Sequence, residues 1–433
     1  MKLINRFYYI LILLIVQNIN AQNFRIDTAD YLKRKSFLTN YRETSKNFNR
    51  NFSKKYSGSE NKQLSKIFTA FQKSLEEDVK DRSYFFDDRL ISFVNQKIKL
   101  IADKNPDIPA NFNVLIAKDN EPNAFNFGDN TLVVNLGLFY YIDNEDQFTS
   151  IICHEIAHSK LEHSVNSILS KIKKDNQNKS EVSSIKHSAN QYDKAFELFK
   201  TMLYSNMKER RKDEIKADSL GFEYYKNLGL QKSSFVSALQ QLKIFDDKKP
   251  DSISAEVYRK TFDLPNQPFK EDWLKMEDFS RYNYRLYTKK ISEDSLRTHP
   301  DLDFRISLLR KKLPETEYNE TEKPAALSYK ELSEIAGKRM IPNYYDTEKY
   351  GIGIYKCLSI LQQNPDDKLS RFYLGKFFNR IYEARKSYTL NRYLESIDPQ
   401  KQSYSYRQFL SFMWNLNLEE IQNITTFYEK SES

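Results

Sequence analysis

From Asp87 onward, apolar residues fall at helical spacing, with Leu90, Phe93, Val94, Ile98 and Ile101 on one side before a stop at Asn105-Pro106. That period predicts an amphipathic helix. Phe112, Val114 and Ile116 then alternate with polar neighbours, and Leu132-Val133-Val134 follows the turn signal Gly128-Asp129-Asn130, so two or three short strands come next. Over residues 146–163 the pattern changes again. Phe148, Ile151, Ile152 and Ile156 leave little polar face, which predicts a helix buried between layers. A polar stretch, 173–184, reads as an exposed connection, followed by two helices covering roughly 192–228 and 233–245. Pro265 and Pro268 mark a loop. His299-Pro300 opens another helix, whose positive end Asp301 and Asp303 complement. Beyond Pro314 the chain turns Tyr-rich and helical; segments 355–361 and 372–382, joined by Asn364-Pro365-Asp366, look like one degenerate helix-turn-helix repeat without a fixed period. Upstream, residues 61–80 look helical and 22–60 show weak periodicity.

Composition sharpens this picture. Gly (9) and Pro (12) are scarce in 433 residues that are 39% hydrophobic, which favours long helices over a turn-rich β protein. The expected fold class is mainly α with a small β-sheet. The N-terminus has the form of a signal peptide over residues 1–21, with Lys2 and Arg6 ahead of the apolar run 7–16 and Ala21 before the cut. An apolar core of that length is too short to span a bilayer, so the mature chain is expected in the periplasm or outside the cell. Only Cys153 and Cys357 are present, which excludes a disulfide framework and leaves stability to packing.

Losing Lys2 and Arg6 lowers the formal charge from +9 to +7, and residues 22–60 hold nine Lys or Arg against four Asp or Glu. The excess is therefore local, and it predicts a solvated, partly mobile basic arm. Such an arm is compatible with peripheral contact at an anionic membrane surface or an envelope complex; no nucleic-acid partner is expected. The expected divisions are a basic arm and helix at 22–80, a central domain at 81–312 and a helical region at 313–433.

The buried helix carries "HEIAH" at 154–158. His154 and His158, four apart, project from one helical face as two nitrogen ligands of one metal must. Glu155 is turned about 100° around the axis, where a carboxylate reaches a water beside the metal. A third histidine six residues past His158 would complete one known arrangement, but that position is Ser164. His163 reads instead as supporting or structural. Farther on, "RRKDEIKADSLGFEYY" places Glu214 and Asp218 four apart on a helix, so one carboxylate can bind metal while the other hydrogen-bonds a ligand imidazole. Two imidazoles and one carboxylate favour zinc. The strand at Asn123, Ala124 and Phe125 can receive an extended peptide by strand addition.

Together, "HEIAHSKLEH" and "EIKADSLG" resemble the zinc metallopeptidases of the HtpX and CAAX prenyl protease family, in particular their soluble periplasmic BepA-like branch. "EPNAFNFGDNTLVVNLGLF", "GLQKSSFVSALQQL" and "THPDLDFRISLL" follow the same order, and the resemblance covers residues 84–312. It implies one Zn2+ held by His154, His158 and Glu214, Glu155 as the catalytic base, and Asp218 supporting a ligand. It further implies that His299 and Arg305 approach the site to stabilise the transition state or close off the metal. The resemblance points to hydrolysis of peptide bonds in unfolded or misassembled exported proteins. Less glycine between Phe125 and Leu132 and a long loop over 248–290 depart from the family and bear on substrate gating. The alternative is a chaperone or adaptor whose C-terminal helices bind clients beside a dormant or secondary metal site.

Overall fold

The computed structural model describes residues 30–55, 58–177, 207–248, 251–276, 301–314, 317, 323–399 and 402–430. The signal-peptide reading at 1–21 lies outside them. No described helix is long and apolar enough to cross a membrane.

A three-stranded sheet lies at the centre: β1 (Asn113–Ala117) runs parallel to β3 (Thr131–Asn135), and β2 (Ala124–Asn126) pairs antiparallel with β3 on its other side, in the order β1-β3-β2. Period-2 geometry sends Val114, Ile116, Leu132 and Val134 to one face and Leu115 and Val133 to the other. Both faces are covered, which is why β3 reads as a continuous apolar run.

The second face is covered by the segment expected to be a mobile arm, and that expectation is corrected here. α1 (Tyr31–Lys55) and α2 (Gly58–Lys80) form a helical layer in which Leu38, Tyr41 and Phe52 join Leu64, Phe68, Phe71, Leu75 and Val79 against the sheet. Arg42 pairs with Glu76 at 2.6 Å and Lys33 with Asp88 at 2.6 Å, while Arg34 is buried and donates to the Lys80 carbonyl at 3.1 Å. Ser45 interrupts the apolar stripe Leu38, Tyr41, Phe48, Phe52, and this weakens the period.

The first face belongs to a larger core. α3 (Asp88–Lys104), capped by Asp87, buries Leu90, Val94, Ile98 and Ile101 as its period required. α4 (Leu136–Tyr141), α5 (Glu145–Lys160), α7 (Met207–Lys226), α8 (Ser233–Asp247) and α10 (Leu302–Arg310) complete it. α5 stops earlier than expected, because Glu162 adopts φ +53° and His163 opens a new helix, α6 (His163–Gln177). Residues 173–177 are thus helical rather than an open connection. Asp301 does not start α10 by capping it; its φ is +55° and its carboxylate meets Arg211 at 2.7 Å.

A second core is built by α12 (Tyr350–Gln363), α13 (Lys368–Lys386), α14 (Tyr404–Asn415) and α15 (Leu418–Lys430). The degenerate repeat is the α12–α13 pair, and Asp367 caps the second helix by accepting from the Ser370 amide at 2.8 Å. This core also captures residues from the stretch expected to be a long loop of the catalytic domain. α9 (Ala255–Phe262) and the 3-10 turn Glu271–Leu274 bury Tyr258, Phe262 and Trp273 there, and Tyr428 Oη donates to the Thr261 carbonyl at 2.7 Å. α11 (Leu327–Asp346) joins the two cores. Tyr329, Leu332 and Ala336 pack in the first and Ile341 in the second, with Pro342 inside the helix between the two ends.

Candidate metal centre

Asn144 caps α5 by accepting from the Gln147 amide at 2.9 Å, so the helix is fixed nearly three turns before His154. α7 crosses it in close contact. A Cβ at Gly221 would lie 2.9 Å from His154 Cα, so only glycine lets the two backbones approach. That approach brings Glu214, two turns earlier on α7, to the histidines. His154 Nε2 and His158 Nε2 are 2.9 Å apart, Glu214 Oε2 is 3.5 Å from His154 Nε2, and Glu214 Oε1 is 3.6 Å from His158 Nε2. A tetrahedral zinc with ligands at about 2.0–2.1 Å separates neighbouring donors by about 3.3 Å, which these three edges bracket. Among the described residues this is the one group of His, Cys, Asp or Glu able to hold a metal ion.

Behind the ligands lies a buried charge network. Asp218 Oδ1 is 2.9 Å from His154 Nδ1, which orients that imidazole with Nε2 toward Glu214. Arg305, 2% exposed, donates to both Asp218 oxygens at 2.7 and 2.8 Å and lies 2.8 Å from Glu214 Oε2. His163 Nδ1 sits 2.9 Å from His158 Nδ1, and His163 Nε2 is 3.5 Å from Asp213. Each ligand imidazole therefore has its own support, from Asp218 on one side and His163 on the other.

The electrostatics follow from burial and these partners. Burial opposes a charged His154, but Asp218 and Glu214 outweigh it and raise its pKa to about 10. Burial and the neighbouring charged His154 push His158 down to about 3. A cation bound to both Nε2 atoms would displace the proton from His154. Burial also resists the Glu214 and Asp218 charges, yet Arg305 holds both below the ordinary carboxylate range. Glu155 behaves oppositely. Burial, with Glu214 adding, lifts it to about 8 against the opposing charges of His154 and Arg305, and the Asn126 backbone amide bonds its carboxylate.

The structure thus brings together His154, Glu155, His158, His163, Glu214, Asp218 and Arg305. His299 lies outside the described residues. Arg305 borders the cavity, and its guanidinium is held between Glu214 and Asp218. On the strand, Asn135 N bonds Asn123 O and Phe127 N bonds Thr131 O, so Asn123, Phe125 and Phe127 turn their backbone groups toward β3. Ala124 and Asn126 turn theirs out toward the cleft, and Asn126 was not singled out from sequence. Neither was Asp213, although it precedes Glu214 directly, nor Gly221, the last residue of "EIKADSLG". Beside the histidines opens a cavity of about 480 Å³ bordered by β2, α5 and α8.

No curated protein matches this chain. The model of peptidase family M48 matches residues 90–313, a little over half of its length, and that interval contains His154, His158, Glu214 and Arg305. The chain belongs to peptidase family M48, and it is a metallopeptidase acting on polypeptides.

Proposed function

We propose that this chain is an exported zinc endopeptidase that cleaves unfolded or misassembled proteins. The observation that carries the reading is the triangle of His154, His158 and Glu214 donors with the buried Glu155 carboxylate beside an edge strand. Zinc bound to those three residues supplies a Lewis acid that lowers the pKa of water towards about 7 and polarises a peptide carbonyl.

The chain's own residues do the rest. Asp218 and His163 hold the two imidazoles in the tautomer that leaves Nε2 free. Arg305 keeps Glu214 and Asp218 ionised. Glu155 takes the proton from the attacking water and returns it to the leaving amine, a role suited to a carboxylate whose burial raises its basicity. A bound cation would draw its pKa back down from about 8. His299, assigned from the family resemblance, donates to the negative charge that develops on the carbonyl oxygen. The outward-facing backbone of Ala124 on the edge strand can order an extended peptide without reading its side chains, which suits unfolded substrates.

Glu155→Gln tests the reading. Cleavage of a permanently unfolded reporter should fall by about 10²-fold or more, with stoichiometric zinc retained. Glu214→Ala should lose the zinc itself. Unchanged cleavage by Glu155→Gln would eliminate the peptidase assignment, and retained suppression of aggregation in that variant would favour a chaperone.

A further inference from the structure

We infer that Asp129, in the turn between β2 and β3, is a positioning residue for the catalytic base: through it, Tyr41 of α1 and Gln72 of α2 hold the Asn126 amide against the Glu155 carboxylate. Glu155 enters as the base of the peptidase reading, on which this role rests. Both helices precede residue 90, where the family match begins, so the apparatus reaches beyond the matched interval. Asp129 is 4% exposed and faces no cationic partner among the described residues. Its Oδ1 accepts from the Thr131 amide at 3.0 Å, and its Oδ2 accepts from Tyr41 Oη at 3.3 Å and from Gln72 Nε2 at 3.5 Å. Asn49 Nδ2 donates to Gln72 Oε1 at 2.9 Å, so α1 contributes twice. A buried carboxylate with neutral partners alone costs stability, and burial lifts its pKa. What an ionised carboxylate offers over an amide is two oxygens that only accept, on which donors from α1, α2 and β3 converge.

The turn passes this anchorage to Asn126. Gly128, at φ +87°, donates its amide to Asn126 Oδ1 at 2.8 Å, and Phe127 N bonds Thr131 O at 3.1 Å. The Phe127 ring packs 4.1 Å from that of Phe71 on α2, and a Cβ at Gly128 would lie 3.3 Å from Ser164 Cβ on α6. The turn therefore has little freedom to shift. At its β2 end the Asn126 carbonyl accepts from Ser164 Oγ at 3.0 Å, and the Asn126 amide bonds the Glu155 carboxylate. Both backbone groups that Asn126 turns away from β3 are thus engaged within the protein. A donor on one oxygen of Glu155 fixes the carboxylate plane and leaves the other oxygen to take the proton of water. Loosening Asp129 frees the turn, and with it the amide that sets this plane.

Tyr41→Phe removes one donor without touching the turn or the metal ligands, and Asp129→Asn replaces one acceptor by a donor. In the zinc-loaded full chain acting on the unfolded reporter, kcat should fall about five-fold for Tyr41→Phe and about ten-fold for Asp129→Asn. KM should stay within about two-fold, because Ala124 keeps its own pairing with Val134, and zinc stoichiometry should not change. The deciding readout is a double-mutant cycle with Glu155→Asp, whose shorter side chain withdraws the carboxylate from the Asn126 amide. In that background, assayed at high enzyme concentration, each substitution should cost less than about two-fold, because the contact it protects is already gone. A residue that merely stabilised the fold would cost the same in both backgrounds. Equal losses in the two backgrounds, unchanged kcat, a loss confined to KM, or a fall in kcat that tracks lost zinc would overturn the inference and leave the peptidase standing. If Asp129→Asn does not fold, the cycle with Tyr41→Phe decides alone. Cleavage that survives Glu155→Gln would remove both.

Discussion

Helices α5 and α12 make an informative pair. Each is buried over most of its length, and each carries a buried cysteine, Cys153 or Cys357, inert by burial. α12 surrounds itself with Ile354, Leu358 and Leu361 and buries little polarity beyond Ser359 and the Tyr355 hydroxyl, both bonded to Asp251. α5 buries Gln147, Thr149, Ser150, His154 and Glu155 in one core. Buried polar groups cost stability unless partnered, and even partnered ion pairs seldom repay their desolvation. A helix that carries such a load is holding chemistry rather than merely packing. Perturbed groups in a cleft mark the place where the fold has given up stability for function.

That contrast is sharpest at Arg305. Arg305→Met leaves Glu214 and Asp218 buried beside each other without compensation and should destabilise the metal-free protein by about 3–5 kcal/mol. Chemical denaturation after chelation reads it, and zinc affinity should fall about 10–100-fold. If Arg305 only filled space, neither number would move so far.

A matched pair of glycines comes next. Gly221→Ala presses α7 from the His154 backbone, and Gly353→Ala presses α12 from the Phe377 ring, where the new Cβ would lie 2.4 Å away. Both should cost as much as about 3 kcal/mol. Only Gly221→Ala should also weaken zinc binding, measured by competition with a chromogenic chelator; equal metal phenotypes would erase the distinction between the two helices.

Glu155 provides a pH test. Its carboxyl titrates near 8 in the folded metal-free chain, raised from 4.5, so the stability present below pH 4.5 is lost as pH climbs through 8. Glu155→Gln removes that loss. The inactive variant should be more stable than wild type at pH 8, on the order of 2 kcal/mol after chelation, and nearly equal to it at pH 4. His154, raised to about 10 from 6.5, loses its contribution between those values, and because its charge acts on Glu155 the comparison reads the two groups together. The smallest effect belongs to the second core, where Lys270 meets Glu420 at 2.6 Å from an exposed position. Lys270→Met should change stability by less than about 1 kcal/mol and leave zinc binding untouched.

The candidate ligands His154, His158 and Glu214 were legible in sequence because the four-residue spacings 154/158 and 214/218 are each local to one helix. What the sequence could not show depends on distant pairings. Asn126 faces the cleft only because of its register against β3. Arg305 pairs with both carboxylates because of how α10 packs, which no spacing reveals. α1 escaped notice because Ser45 and many Asn and Lys residues dilute its stripe. The stretch 251–276 read as loop because its partners, such as Tyr428 for Thr261, lie more than a hundred residues away.

One consequence follows from α11. Asn120, just before β2, donates to the Met340 carbonyl at 2.7 Å and accepts from Asn343 at 3.0 Å, while Lys118 meets Asp346 at 3.0 Å. The approach to the edge strand is thus bolted to a helix that begins fourteen residues after the family match ends. Severing the chain at 313 would strip Tyr329, Leu332 and Ala336 from beneath the catalytic half, orphan Tyr258, Phe262 and Trp273, and unfasten the strand offered to substrate. The homology boundary is not a folding boundary, and the catalytic half has no complete interior without its C-terminal companion.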